Sequence, residues 1–110
     1  MAVQLLGEFE QIVLLAILRL GDSAYGVTIA DEILECTGRE PSRGALYTTL
    51  DRMETKGLVR SSMGGASQQR GGRPKRYFSL TRAGRAALVR AQAAYRRLLE
   101  GLTLLEEPSA

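Results

Sequence analysis

Histidine and tryptophan are absent from this 110-residue sequence, and cysteine occurs once, as Cys36. A single cysteine excludes an internal disulfide. Without histidine, the usual zinc sites, catalytic triads and general acid–base pairs lose their most frequent members. No paired carboxylate or nucleophile motif replaces them, so the sequence predicts neither an enzyme nor a protein that binds a metal or a cofactor.

Long apolar runs are also missing. The longest, at residues 12–18, is far shorter than the roughly 20 residues that a membrane-spanning helix needs. The first residues lack the cationic segment of a signal peptide. A chain of this length is expected to form one domain with a modest core, so we expect a folded cytoplasmic protein without a membrane partner.

Positive charge is concentrated in the middle of the chain. Residues 1–38 hold one cation and six acids, whereas residues 39–76 hold nine cations and three acids. With a sequence pI near 9.4, this distribution favours a polyanionic partner, most simply nucleic acid. A basic surface that is merely solvated is the alternative.

Two helices are predicted before the basic segment. The first spans residues 6–20, is apolar almost all round and ends at Gly21, so part of its surface is expected to meet a second chain. Asp22 and Ser23 are expected to cap a second helix that ends at Gly38. Its outer side is acidic and would repel phosphates, which indicates a supporting role.

The segment 41–57, PSRGALYTTLDRMETKG, is a short helix with one apolar face. Ser42 can cap its first turn, and Gly57 ends it. The apolar face comprises Ala45, Leu46, Leu50 and Met53, and the other face carries Gly44, Tyr47, Thr48, Asp51 and Thr55. This polar face is either solvated or inserted into a partner's groove. We expect Asp51 to pair with Arg43 or Arg52.

After Gly57 the sequence pattern changes from helical to that of extended strands. Residues 58–63 and 75–80 are strand-like and are separated by a glycine-rich tip, which predicts a hairpin. The cations of the tip and second strand are Arg70, Arg73, Lys75 and Arg76. Flexible glycines beside clustered cations suit a loop that approaches phosphates or a minor groove. A surface loop without function is the alternative.

Thr81 is placed to cap a last helix that is expected to continue to about Leu105, a length of some 37 Å at about 1.5 Å per residue. Its apolar residues recur at spacings of four and three, as in a heptad seam. Pairing through this helix and the first one predicts a homodimer. The predicted interface residues are Leu14, Leu18, Leu88, Ala91, Tyr95, Leu98 and Leu102.

The order helix, helix, helix, hairpin, long helix resembles the PadR-type transcriptional regulators. The resemblance is carried by LRLGDSAYGVTIADEI, PSRGALYTTLDRMETKGLV and GGRPKRYFSLTRAGRAAL, and it covers about residues 5–102. It implies a mainly α fold with a small β-hairpin: a winged helix-turn-helix DNA-binding domain at residues 1–80 and a dimerisation helix with a short tail at residues 81–110, which together form one structural unit.

The resemblance also implies a homodimeric repressor on a palindromic operator in double-stranded DNA, with a small aromatic effector that could relieve repression. The residues expected to contact DNA from the third helix are Ser42, Arg43, Gly44, Tyr47, Thr48 and Arg52, and those from the wing are Arg70, Arg73, Lys75 and Arg76. The alternative is a winged-helix module that binds a protein partner without sequence-specific DNA binding.

Overall fold

The computed structural model describes residues 6–64 and 74–103, and in this part of the chain it has four helices and one antiparallel hairpin. This mainly helical architecture confirms the predicted fold class. The elements are, in order, α1 (Glu8–Leu20), a 3-10 turn (Gly21–Ser23), α2 (Gly26–Thr37), α3 (Arg43–Thr55), β1 (Val59–Gly64), β2 (Lys75–Leu80) and α4 (Arg82–Leu99).

Two of the predicted helix caps are present. The Ser42 hydroxyl accepts a hydrogen bond from the backbone N–H of Ala45 at 3.1 Å, which caps α3. The Thr81 hydroxyl accepts from the N–H of Gly84 at 3.0 Å, which caps α4. Each bond satisfies one of the N–H groups that a helix start leaves without an intrahelical partner.

The expected cap of α2 is wrong. Asp22 and Ser23 lie in the 3-10 turn, and α2 begins later, at Gly26. The backbone N–H of Tyr25 instead donates to the hydroxyl of Thr28 at 3.0 Å. A hydroxyl three residues inside the helix thus reaches back to its start, as the carboxylate of a capping box does.

One hydrophobic core joins all the elements. Its fully buried members include Leu14 of α1, Ile29 of α2 and Leu50 of α3. The hairpin contributes Val59 and Phe78, and α4 contributes Leu88. The core therefore fixes the orientation of α3. Of the predicted apolar face, Leu46, Leu50 and Met53 are buried, but Ala45 is exposed because it lies at the edge of that face, in the first turn.

The hairpin is tied to the start of α2. Its strands pair in a register that places Ser61 opposite Phe78 and Met63 opposite Arg76. The N–H of Phe78 donates to the carbonyl oxygen of Ala24 at 2.9 Å, and Tyr25 forms an isolated bridge with Tyr77. The segment before α2 therefore holds the second strand of the hairpin, and the first strand follows directly from the turn after α3.

The start of α4 packs against the turn that follows α3. The N–H of Thr81 donates to the carbonyl of Leu58 at 3.0 Å, and its hydroxyl donates to the carbonyl of Gly57 at 2.5 Å. A methyl group added to Gly84 would overlap the Leu58 carbonyl oxygen. Only glycine permits this close approach of α4 to the turn.

The far end of α4 differs from the prediction. The helix ends at Leu99 rather than near Leu105, because Gly101 has a φ of 77° and turns the chain out of the helix. The 18 residues of α4 span about 27 Å. Leu102 therefore lies outside the helix, and the predicted heptad seam stops at Leu98.

Three residues of the predicted dimer interface belong to the interior of one chain. Leu14, Leu88 and Ala91 have at most a few per cent of their surface exposed, so their side chains have almost no area to offer a partner. We therefore assign them to the monomer core. Tyr95, Leu98 and Leu102 are exposed.

Candidate nucleic-acid interface

The exposed end of α3 carries polar and cationic side chains. Arg43 in the first turn, Thr48 in the middle and Arg52 in the last turn are all exposed. Within residues 6–64 and 74–103, neither Arg43 nor Arg52 forms an ion pair, whereas Lys56 pairs with Glu10 at 3.3 Å. Both guanidinium groups are thus without a direct ion pair in the described part of the protein, although Arg52 lies within electrostatic range of Glu10.

Gly44 lies in the first turn of α3 without a structural reason to be glycine. A methyl group added there would meet no atom within 4 Å, and the residue does not have a positive φ. Glycine in a helix is unfavourable relative to alanine by up to about 1 kcal/mol. The exposed backbone at Gly44 would, however, let another molecule approach closely.

Tyr47 is less available for contact with a partner than the sequence predicted. Its side chain is half-buried and packs across Gly26 at the start of α2, where an added methyl group would overlap the phenol ring. The ring also packs against the hydrophobic core. An open groove of about 580 Å³ between α2 and α3 is lined by Tyr47 together with Val27 and Arg43.

Arg76 connects the hairpin to α3. Its Nη1 donates to the carboxylate of Asp51 at 3.0 Å and its Nη2 to that of Glu54 at 2.5 Å. The hydroxyl of Ser61 also donates to Glu54, at 2.7 Å. The expectation that Asp51 pairs with Arg43 or Arg52 is wrong: it pairs with Arg76, because the hairpin folds back beside the C-terminal half of α3. We call Arg76, Asp51, Glu54 and Ser61 the Arg76 cluster.

The charge of Glu54 is stabilised within this cluster. The hydrogen bond from Ser61, followed by that from Arg76, lowers the pKa of the Glu54 carboxyl below its ordinary value. The carboxylate is therefore ionised at neutral pH and attracts the guanidinium. Glu54 is absent from the residues that sequence reasoning singled out, although its position three residues after Asp51 places both acids on one side of α3.

An aromatic pair lies at the base of the wing. The rings of Tyr25 and Tyr77 meet edge to face with centroids 5.5 Å apart, and the ammonium of Lys75 lies 5.2 Å from the centroid of Tyr25. These contacts place Lys75 beside the start of α2. The predicted wing contacts Arg70 and Arg73 lie outside the residues that the structure describes.

Two kinds of site are absent from the described residues. Among them, no group of three or more carboxylate or thiol side chains is arranged to hold a metal ion. None of the described helices is both long and apolar enough to cross a membrane. The distinctive surface of this part of the chain is the cationic, polar end of α3 next to the hairpin.

Comparison with known protein families identifies the family of this chain. The model of the family described as "Transcriptional regulator PadR-like" matches residues 14–90, which is more than half of the chain. The chain belongs to the PadR-like family of transcriptional regulators. Family membership indicates DNA-binding transcription regulation rather than enzymatic catalysis.

Solved structures of PadR-like proteins share the fold of this regulator. A PadR-like transcription factor from Bacteroides fragilis is 26% identical with a TM-score of 0.68, and the match covers 84% of each chain. A PadR family regulator from Clostridium difficile is 29% identical with a TM-score of 0.67, over 82% of this chain and 90% of that one. One from Eggerthella lenta is 26% identical with a TM-score of 0.65, over 92% and 88%. No curated protein sequence matches this PadR-like chain.

Proposed function

We propose that this PadR-like regulator represses transcription as a homodimer on a palindromic operator, with the N-terminal half of α3 in the major groove and the wing beside it. The observation that carries this proposal is the exposed start of α3. There Arg43 has no ion-pair partner among the described residues, and Gly44 leaves the backbone open to close approach. Arg52, which also forms no ion pair among them, lies in the last turn of α3. Arginine can contact phosphates or pair with guanine in the major groove.

The distal half of α4 supports the dimer. The stripe of α4 that is buried at Gly84, Leu88 and Ala91 continues at the same helical spacing to Tyr95 and Leu98. Leu98 is nevertheless 74% exposed, because the core of the single chain ends before it. An apolar stripe that continues beyond its own core fits burial against a second copy of the same helix.

Selection of bound duplexes from genomic fragments, followed by a salt titration, tests DNA binding. We expect the logarithm of the association constant to fall by about 0.9 per logarithmic unit of salt for each phosphate contacted. Arg43→Gln should reduce both affinity and this slope, whereas Arg90→Gln, at an exposed arginine of α4, should change neither. A flat salt dependence or no selected duplex would instead favour the protein-binding module.

Light scattering tests the dimer. The double variant Leu98→Lys with Leu102→Lys should yield monomers that bind the selected duplex weakly. The reason is that a charge buried in an apolar interface is strongly unfavourable. Val27→Lys, at an exposed apolar residue of α2, is the matched control for oligomeric state. An unchanged dimer in the double variant would mean that the copies pair elsewhere.

Relief of repression by a small aromatic effector remains a prediction. A mostly apolar groove of about 370 Å³ lies between α1 and α2 and is lined by residues that include Ile12, Leu15 and Ile33. Phenolic acids should raise the melting temperature and release the selected duplex if one of them is the effector. Reporter expression from the operator, with and without the regulator, separates repression from activation.

A further inference from the structure

The Arg76 cluster joins the two elements that the proposed function places against DNA. Asp51 and Glu54 lie in the C-terminal half of α3, whereas Ser61 and Arg76 lie on the two strands of the hairpin. The guanidinium of Arg76 uses separate nitrogens for the two carboxylates. Ser61 adds a second connection from β1 to Glu54. Both strands are therefore attached to the same side of the helix.

The position of the Arg76 guanidinium is also fixed by packing. Its central carbon lies 4.8 Å from the centroid of the Phe78 ring, and Phe78 is buried in the core. The Arg76 side chain is one-third exposed, whereas Arg43 and Arg52 are exposed residues without an ion pair among the described residues. A guanidinium stacked on a buried ring and bonded to two carboxylates has few free donors and little net charge for a phosphate.

We infer that Arg76 is a positioning residue that fixes the wing, at its strands β1 and β2, to the recognition helix α3. Arg76 is then not itself a DNA contact. The inference rests on the proposed function and reassigns one of the residues expected to contact DNA. It means that α3 and the two strands of the hairpin approach DNA as one rigid body. The relative placement of major-groove and wing contacts is then set before binding, so the entropy of ordering the two elements is already lost.

The two roles of Arg76 predict opposite effects at Glu54. If Arg76 contacts DNA, Glu54 competes for its charge and repels phosphates, so neutralising Glu54 strengthens binding to any duplex. If Arg76 positions the wing, neutralising Glu54 loosens the wing and weakens binding to the selected duplex, although a negative charge has been removed. Binding to random duplex depends mainly on net charge and does not weaken.

The experiment measures affinity for the selected duplex and for a random duplex at several salt concentrations. The variants are Glu54→Gln, Arg76→Gln and Arg76→Lys, and circular dichroism confirms that each is folded. The matched control is Arg60→Gln, because Arg60 lies on the same hairpin, is exposed and forms no ion pair within the described residues. In the strand register Arg60 is opposite Ser79, on the other face of the hairpin from Arg76.

For a positioning role we expect roughly a tenfold loss of affinity for the selected duplex in both glutamine variants, which corresponds to about 1.4 kcal/mol. The salt slope stays at the wild-type value. Arg76→Lys keeps the charge but cannot bridge two carboxylates as guanidinium does, so it should resemble Arg76→Gln. The double variant Glu54→Gln with Arg76→Gln should be no weaker than either single variant, because both remove the same connection.

The opposite pattern overturns the inference. It consists of tighter binding of both duplexes by Glu54→Gln, near wild-type binding by Arg76→Lys, and a slope reduced by about 0.9 in Arg76→Gln. If Arg76→Gln does not fold, Glu54→Gln and Asp51→Asn decide by the sign of their effect on the selected duplex. A wild type that selects no duplex refutes the proposed function, whereas a discriminating wild type with a tighter-binding Glu54→Gln refutes only the positioning role.

Discussion

The exposed face of α3 and the distal half of α4 are both uncovered in the single chain, but they differ in chemistry. The α3 face carries Arg43, Thr48 and Arg52, whereas α4 presents Tyr95 and Leu98. Exposed cations are well solvated in water and gain binding free energy when they contact the phosphates of a polyanion and release its counterions. Exposed apolar groups gain free energy by burial alone. In the proposed function, the surface of α3 for DNA is therefore built within one chain, whereas the proposed dimer surface of α4 is completed only by a second chain.

A matched pair of leucine substitutions tests this difference most strongly. Leu50→Ala empties a site with no exposed surface, so the free energy of unfolding should fall by about 2–5 kcal/mol at every protein concentration. Leu98→Ala should change the stability of the isolated monomer by less than about 0.5 kcal/mol. Denaturant unfolding at several protein concentrations measures both.

The proposed difference between α3 and the distal half of α4 is contradicted if Leu98→Ala destabilises the monomer as much as Leu50→Ala does. That outcome would mean that the single chain already buries the distal half of α4. An effect of Leu98→Ala that appears only at high protein concentration would support the dimer surface instead, because stability then includes association.

Two glycines in first helical turns allow a finer test. Gly84→Ala should lower the free energy of unfolding by about 1–3 kcal/mol, since the methyl group overlaps the backbone carbonyl of Leu58 and the backbone must shift. Thermal unfolding at fixed concentration is the measurement. No change on substitution would show that α4 can move away from the turn without loss.

Gly44→Ala should have the opposite sign on stability. It should raise the free energy of unfolding by up to about 1 kcal/mol, because the added methyl group meets open space and alanine favours the helix. Affinity for the selected duplex should fall, because that methyl group lies where α3 is proposed to approach DNA. Gain of stability without loss of DNA binding would place Gly44 outside the interface.

The smallest expected effect concerns acid. The lowered pKa of Glu54 means that its stabilising contribution is complete above the ordinary value of 4.5 and is lost as pH falls through the lowered value. As the pH falls below about 4.5, the wild type should therefore lose slightly more stability than Glu54→Gln. Parallel acid unfolding curves would show that the Arg76 cluster does not hold the wing in solution.

Much of this fold could be predicted because its signals are local. Ser42 and Thr81 cap helices by bonds that span three residues, and the apolar spacing of Leu46, Leu50 and Met53 gives the buried side of α3. Period and capping chemistry depend on neighbours along the chain. The order of helices and hairpin follows from such signals, and it is the order of the family.

The predictions from the sequence failed where tertiary packing determines the structure. On an almost wholly apolar α1, no pattern shows that Leu14 faces the core while Leu15 is exposed. The pair of Arg76 with Glu54 joins residues 22 positions apart, so only the folded hairpin brings them together. The end of α4 at Leu99 depends on the backbone conformation of Gly101 within a leucine-rich run that favours helix.

The contact of Gly84 with the Leu58 carbonyl has a consequence for operator architecture. It fixes the direction in which α4 runs from the point where it packs against the turn that follows α3. In the proposed dimer, the angle at which two copies of α4 cross would therefore set the distance between the two α3 helices. Successive major grooves on one side of DNA are about 34 Å apart. Substitutions along α4 would then alter the preferred number of base pairs between half-sites, while the bases preferred within each half-site stayed the same.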